Sequence, residues 1–290
     1  MQESRHPTGK QVGAIIFLLH GVHGDETKYG GYAANIIQQS ASVPWLNKRV
    51  SHFYPVGPYS RWSSKRNFHF NANLTDPNRL HTKEWNTSSF DLPSLILARE
   101  SLYNLFQAGN LTTRTFLKEC QEKHLNVHAL LQRPQTLFND FFGYIDFTAW
   151  SAAASQRRSI SQMIEKTAKD NPGKQLIVLD LHAGIGEPMT SMIIHHTNGE
   201  FVRDDDCYLV DGLARDLKHI RIDFFVVELG IKGIQFMFDR VLLELCSRSL
   251  SQQGISLPSL LSRSEEKEWR KGIRENLFTT FLPKLLEMTA

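Results

Sequence analysis

The chain has 290 residues, 41% of them hydrophobic, and a formal charge of +3 from 33 basic and 30 acidic residues. That composition supports a buried core in one large domain or two small ones. The small, scattered positive charge argues against a nucleic-acid footprint. Three widely separated cysteines, Cys120, Cys207 and Cys246, make neither a disulfide framework nor a zinc knuckle, and read as ordinary thiols in a reducing compartment.

The opening "MQESRHPTGK" lacks the apolar segment of a signal peptide, and the apolar run over 12–19 is too short to cross a bilayer. The expectation is a cytoplasmic protein with no membrane partner. That run, "VGAIIFLL", has strand length and no polar alternation, the pattern of a strand buried on both faces. It breaks into the glycine-rich turn "HGVHGDE". "KYGGYAANIIQQSA" then reads as a helix. "KRVSHFYPVGPYSRW" reads as a second strand entering a Pro/Gly turn, and the Asn-rich "KRNFHFNANLTDPNRL" as loop.

From 92 to about 169 the periodicity becomes helical, in "SLILARESLYNLFQAG", "TRTFLKECQEKHLN" and "SQRRSISQMIEKTAKD". The opening design then returns twice. "KQLIVLDLHAGIGEP" and "RIDFFVVELGIKG" are each a buried strand ending in a polar group and a glycine. From 234 onward the chain is mainly helical, with "EEKEWRKGIRENLFTTFLPKLLE" as the last amphipathic stretch. Buried strands alternating with helices predict an α/β fold with a parallel or mixed sheet. The chain shows no repeat and no linker, so a single domain over 1–290 with a helical insertion at about 92–169 is the simplest organisation.

Ligands of open α/β sheets sit at the carboxyl ends of the strands. If the three buried strands are neighbours, His23, Glu26, His182 and Glu228 share one edge. Two histidines and a carboxylate suffice to hold a catalytic zinc ion with a position left for water, and a further carboxylate can move protons. The H-x-x-E spacing in a tight turn lets His23 and Glu26 curl toward one point, with Gly24 between them. His20, at the strand end, is expected to pack locally, and Asp25 to point away. Blander readings exist: Asp180 and His182 can be a buried hydrogen-bonded pair, and Glu228 a partner for an arginine. The opening "FLLHG" also resembles the oxyanion loop of serine hydrolases, but the chain has no G-x-S-x-G elbow. Nor has it a phosphate-cradling glycine motif.

The series "HGDE", "KRN", "DPNR", "DLH" and "VELG", in that order, resembles the zinc carboxypeptidase superfamily. "HGVHGDE", "DLHAGIGEP" and "RPQTLFNDFFGYIDFTAWS" resemble more narrowly a bacterial carboxypeptidase-like branch. The likeness runs from about residue 12 to the "FLP" near the C-terminus, and only the motifs are close. It implies a three-layer sandwich, with a mixed, mostly parallel sheet between helices. It implies one zinc ion per chain on His23, Glu26 and His182, with Asp76 hydrogen-bonded to the first histidine.

The resemblance further implies that Asn78 and Arg79 grip a substrate carboxylate and that Arg66 steadies the oxyanion, with Arg61 as its competitor in the same loop. Glu228 would be the general base, and Tyr208 falls where the family's mobile tyrosine would lie. The activity implied is hydrolysis of an amide or peptide bond near a free carboxylate, on a small peptide. The "ELG" ending and the short "HGDE" turn also resemble the aspartoacylase and succinylglutamate desuccinylase group, which implies N-acyl-amino-acid deacylation. A non-catalytic binding protein on this scaffold is the third reading.

Overall fold

The computed structural model describes residues 13–21, 23–40, 50–56, 92–125, 147–198, 212–250, 257 and 259–289. Among these residues five strands form one sheet: β1 (Ala14–His20), β2 (Val50–Val56), β3 (Leu176–Gly184), β4 (Ser191–Asn198) and β5 (Asp223–Gly230). Their order is β2-β1-β3-β5-β4. The pairs β1·β2, β1·β3 and β3·β5 are parallel, and among the described strands β4 alone runs antiparallel, at one end of this order. The chain is therefore an α/β protein with a mixed, mostly parallel sheet. β1, β3 and β5 are central neighbours, so their carboxyl ends lie on one edge, as the apolar runs required.

Helices pack on both faces, which is why the central strands carry no polar alternation. On one face, Ile16, Leu18, Leu179, Leu181, Phe225 and Val227 meet α1 (Thr27–Gln39) and the C-terminal helices. On the other, Ile15, Phe17, Leu176, Val178 and Phe224 meet Ile160 and Ile164 of α4 (Phe147–Asp170) and Leu213 and Leu217, in and just after α5 (Gly212–Asp216). Each such aliphatic or aromatic side chain, buried fully, contributes roughly 1.5–3 kcal/mol. Within the 92–169 segment, α2 (Leu92–Gln107) and α3 (Thr113–Glu122) build a separate small core. There Ala98, Leu102, Phe116 and Cys120 meet Leu242 and Cys246 of α6 (Ile234–Leu250). α4, by contrast, lies on the sheet.

The C-terminal stretch becomes α7 (Arg263–Asn276), a π-helical turn at Leu277–Phe281 and α8 (Leu282–Met288). Ser262 and Glu265 cap α7 reciprocally, which satisfies amides that the first helical turn leaves unpaired. Those bonds, with Lys232 adding its hydrogen bond and charge, hold the Glu265 carboxyl at about 2. No helix among the described residues is long and apolar enough to cross a membrane.

β4 is the element that the sequence reading does not anticipate. Its "SMIIHHTN" pairs like residues side by side and so shows no period of two. The cause is a register shift between Ile193 and His195, a bulge that puts two residues opposite one.

After β3 the chain turns tightly through Ile185–Thr190 and closes over the end of β5. Met189 donates its N–H to the Gly230 carbonyl, and Gly230 donates to the Thr190 carbonyl. The fit leaves no room for a side chain at 230, where a Cβ would lie 1.9 Å from the Glu187 carbonyl oxygen. Gly230→Ala is therefore expected to cost more than about 2 kcal/mol, read as a lowered urea midpoint with an unchanged m-value.

Candidate metal centre

The pleat of β3 and β5 explains how the polar groups converge. Even-numbered positions of both strands face α4 and α5, and begin as apolar residues: Leu176 and Val178, Phe224 and Val226. At the carboxyl ends the same face continues as Asp180 and His182, and as Glu228, the register partner of His182. The opposite face stays apolar through Leu181, Ala183, Val227 and Leu229. At the carboxyl ends of β3 and β5, polarity thus enters on one face only.

His23 and Glu26 arrive from the turn between β1 and α1. Thr27 Oγ1 donates to the His23 carbonyl, and the amides of Tyr29 and Gly30 donate to the Glu26 carbonyl. Glu26 is the N-cap residue of α1, where the helix dipole favours a negative charge. Its carboxylate lies between the two histidines, 3.0 Å from His23 Nδ1 and 3.3 Å from His182 Nδ1. The Ala183 amide donates to the same carboxylate at 3.2 Å. The imidazole rings of His23 and His182 stand 5.3 Å apart, centre to centre.

His23, Glu26 and His182 each offer a ligand atom within 4.8 Å of the others, and all three are buried. This group can hold a metal ion. His182 is well prepared for it. Its Nε2 lies 3.2 Å from Asp180 Oδ2 and its Nδ1 3.3 Å from Glu26 Oε2, so the ring can donate to both carboxylates, and a metal that displaced the Nδ1 proton would leave Nε2–H on Asp180 and Nδ1 as the ligand atom. The charge balance also suits a cation. Glu26 and Asp180 are both buried here, and buried carboxylates require a compensating charge nearby.

The three ionisable groups respond to this crowding in different directions. Burial pushes the Glu26 carboxyl up, but the charges and hydrogen bonds of the two histidines outweigh it and hold it far below the carboxylate range. Burial disfavours a charged His182, but Asp180 and then Glu26 outweigh it and raise the imidazole well above its ordinary value. Glu228 goes the other way. Burial, with the Glu26 charge added, lifts it to about 8 against the lowering effect of His182 and of the Ile185 amide. That amide donates to Glu228 Oε2 at 3.2 Å.

The remaining polar residues of the turn act elsewhere. Asp25 points away from the group and is buried against α6, where Arg240 Nε donates to its Oδ2 at 3.2 Å. His20 packs on α1, its ring 3.3 Å from where a Cβ at Gly31 would lie. Asp180 is the supporting acid that the sequence reading treats only as half of a hydrogen-bonded pair. It is that pair, and it also orients a histidine of the group that can hold a metal. The signal was the D-x-H alternation, which puts both side chains on one face of a strand. Arg61, Arg66, Asp76, Asn78, Arg79, Cys207 and Tyr208 lie outside the described residues. Comparisons with known protein families, curated proteins and solved structures give no match to this chain.

Two outcomes follow from this geometry. His23→Ala and His182→Ala are expected to lose a divalent ion that the parent protein and His20→Ala both retain, read as metal per chain after dialysis. In chelator-stripped protein, folded Glu228 holds its proton until about 8, whereas the unfolded carboxyl releases it near 4.5. The folded state therefore carries the extra proton between those values, and stability drops as pH rises through the window. Urea midpoints measured across it should fall more steeply for the parent than for Glu228→Gln.

Proposed function

We propose that this protein is a metal-dependent hydrolase, of zinc carboxypeptidase type, that cleaves an amide or peptide bond close to a free carboxylate. The observation that carries the proposal is the buried His23–Glu26–His182 group with Glu228 as the register partner of His182. Two nitrogen donors and one oxygen donor suit zinc, with cobalt, nickel and manganese as acceptable substitutes. A divalent cation in such a site supplies Lewis-acid polarisation of the amide carbonyl and a lowered pKa for water.

The chain's own residues supply the rest. Asp180 fixes the tautomer and orientation of His182. Glu228 is raised to about 8, which gives it proton affinity near neutral pH, where a general base works best. It accepts a proton from the attacking water and returns it to the leaving nitrogen, so that water is added across the C–N bond. Ile185 N–H keeps the carboxylate aimed during both transfers. Asn78 and Arg79 are assigned the substrate carboxylate, which a guanidinium fork matches in shape. Arg66 is assigned the developing oxyanion, and Asp76 the second hydrogen bond of His23. The arrangement of sheet and helices is that of a zinc-peptidase sandwich under this proposal.

The decisive comparison is Glu228→Gln against the parent, both loaded with zinc. The variant is expected to keep one metal per chain and to lose at least about a hundredfold in kcat. Assays on short peptides and on N-acyl amino acids separate the two substrate classes. Release of a C-terminal residue supports the peptidase, and release of a free acid from an acylated amino acid supports the deacylase. A screen with no Glu228-dependent turnover in either class would leave a binding protein as the better account.

A further inference from the structure

The edge strand β4 places one more side chain beside the candidate centre. Met192 is the antiparallel register partner of Glu228. Directly opposed residues project to the same face and lie about 5 Å apart. Met192 therefore stands next to Glu228, on the face that carries His182. Its neighbour Ile193 turns to the other face and packs into the core there.

Glu228 and His182 are closed to solvent, at 6% and 4% exposure, whereas Met192 is 40% exposed. Six large hydrophobic side chains among the described residues are exposed to a comparable degree, and Met192 is the one in register with Glu228. Met189, three residues earlier in the chain, is directed at α7, against Gly272. The Met192 thioether lies over Gly186, 3.3 Å from the Cβ position there. Gly186 has φ +105, which a side chain would strain. It directly follows Ile185, whose amide holds Glu228. A flexible, polarisable thioether of a partly exposed residue is thus seated on the loop that aims the carboxylate.

The geometry points to Met192 as a specificity-determining residue: it is the apolar wall against which a substrate lays the hydrocarbon side chain or acyl chain next to its scissile amide. This rests on the hydrolase reading above and names the substrate class within it, amides with an apolar group at that position. Binding sites combine such apolar walls with a few placed polar groups, and methionine adapts its shape to irregular hydrocarbon.

The test uses the full chain loaded with zinc and two metal-binding probes, phenylacetohydroxamate and succinomonohydroxamate. Calorimetry is expected to show the phenyl probe binding roughly tenfold tighter, the range of a single apolar contact. Met192→Leu should keep the preference and Met192→Gln should lose most of it. In protein labelled at methionine methyls, the Met192 signal, assigned by its disappearance in Met192→Leu, should move when the phenyl probe binds. Equal affinities with a stationary Met192 methyl would overturn this inference while leaving the hydrolase reading intact. Failure of both probes to bind the zinc-loaded protein would sink that reading as well.

Discussion

The Glu26 carboxylate, wedged between two imidazoles at the start of α1, is the interaction on which the rest of the candidate centre depends. It accepts from the Ala183 amide as well, so it joins the turn after β1 to the end of β3. A charge at 3% exposure survives only if its surroundings favour it strongly. Here the helix dipole, one amide and two histidines all do so. Remove that carboxylate and the histidines lose the group that draws their Nδ1 atoms toward one point. The turn would also lose its tie to β3.

The fold converts this local arrangement into a rigid one. Three parallel strands side by side bring their carboxyl ends to one edge. The turn residues that are not donors in the group anchor it to other layers. Asp25 reaches α6 through Arg240, 215 residues away in sequence. Gly230 lets the Ile185–Thr190 turn fold over the end of β5, and Trp269 of α7 adds its indole N–H to the Gly230 carbonyl at 2.8 Å. These ties reach the centre from several sides, and together they limit how far a ligand atom can drift. Such precision is what a metal site requires of its supporting residues.

Much of this was legible in the chain because each signal was physically strong. Continuous apolar runs gave β1, β3 and β5, since strands covered on both faces need no polar positions. The polar endings of β3 and β5 gave His182 and Glu228, since the pleat has to expose something where the core stops, and the glycine-rich turn after β1 gave His23 and Glu26. β4 was hidden because a bulge broke its alternation and because an edge strand carries mixed residues. Asp180 was visible but ambiguous: D-x-H looks the same whether it holds a histidine for a metal or only holds a histidine. The Asp25–Arg240 pair could not be read at all, because nothing local in sequence marks an ion pair between a turn and a distant helix.

Under the proposed hydrolase reading, Glu26 and Glu228 would take two tasks with the same side chain. Both are buried at the same edge of the sheet, at 3% and 6% exposure. Burial acts on both in the same direction. What separates them is the company each keeps. Glu26 touches two histidines and is held ionised, the state a ligand needs. Glu228 has one amide and feels the Glu26 charge, so it is pushed to about 8. The first charge thus helps to create the second group's proton affinity. A cation bound beside Glu26 would offset part of that repulsion and draw the Glu228 value back toward neutrality. Divergent carboxyl environments of this kind are how a fold separates an electrostatic role from an acid–base role.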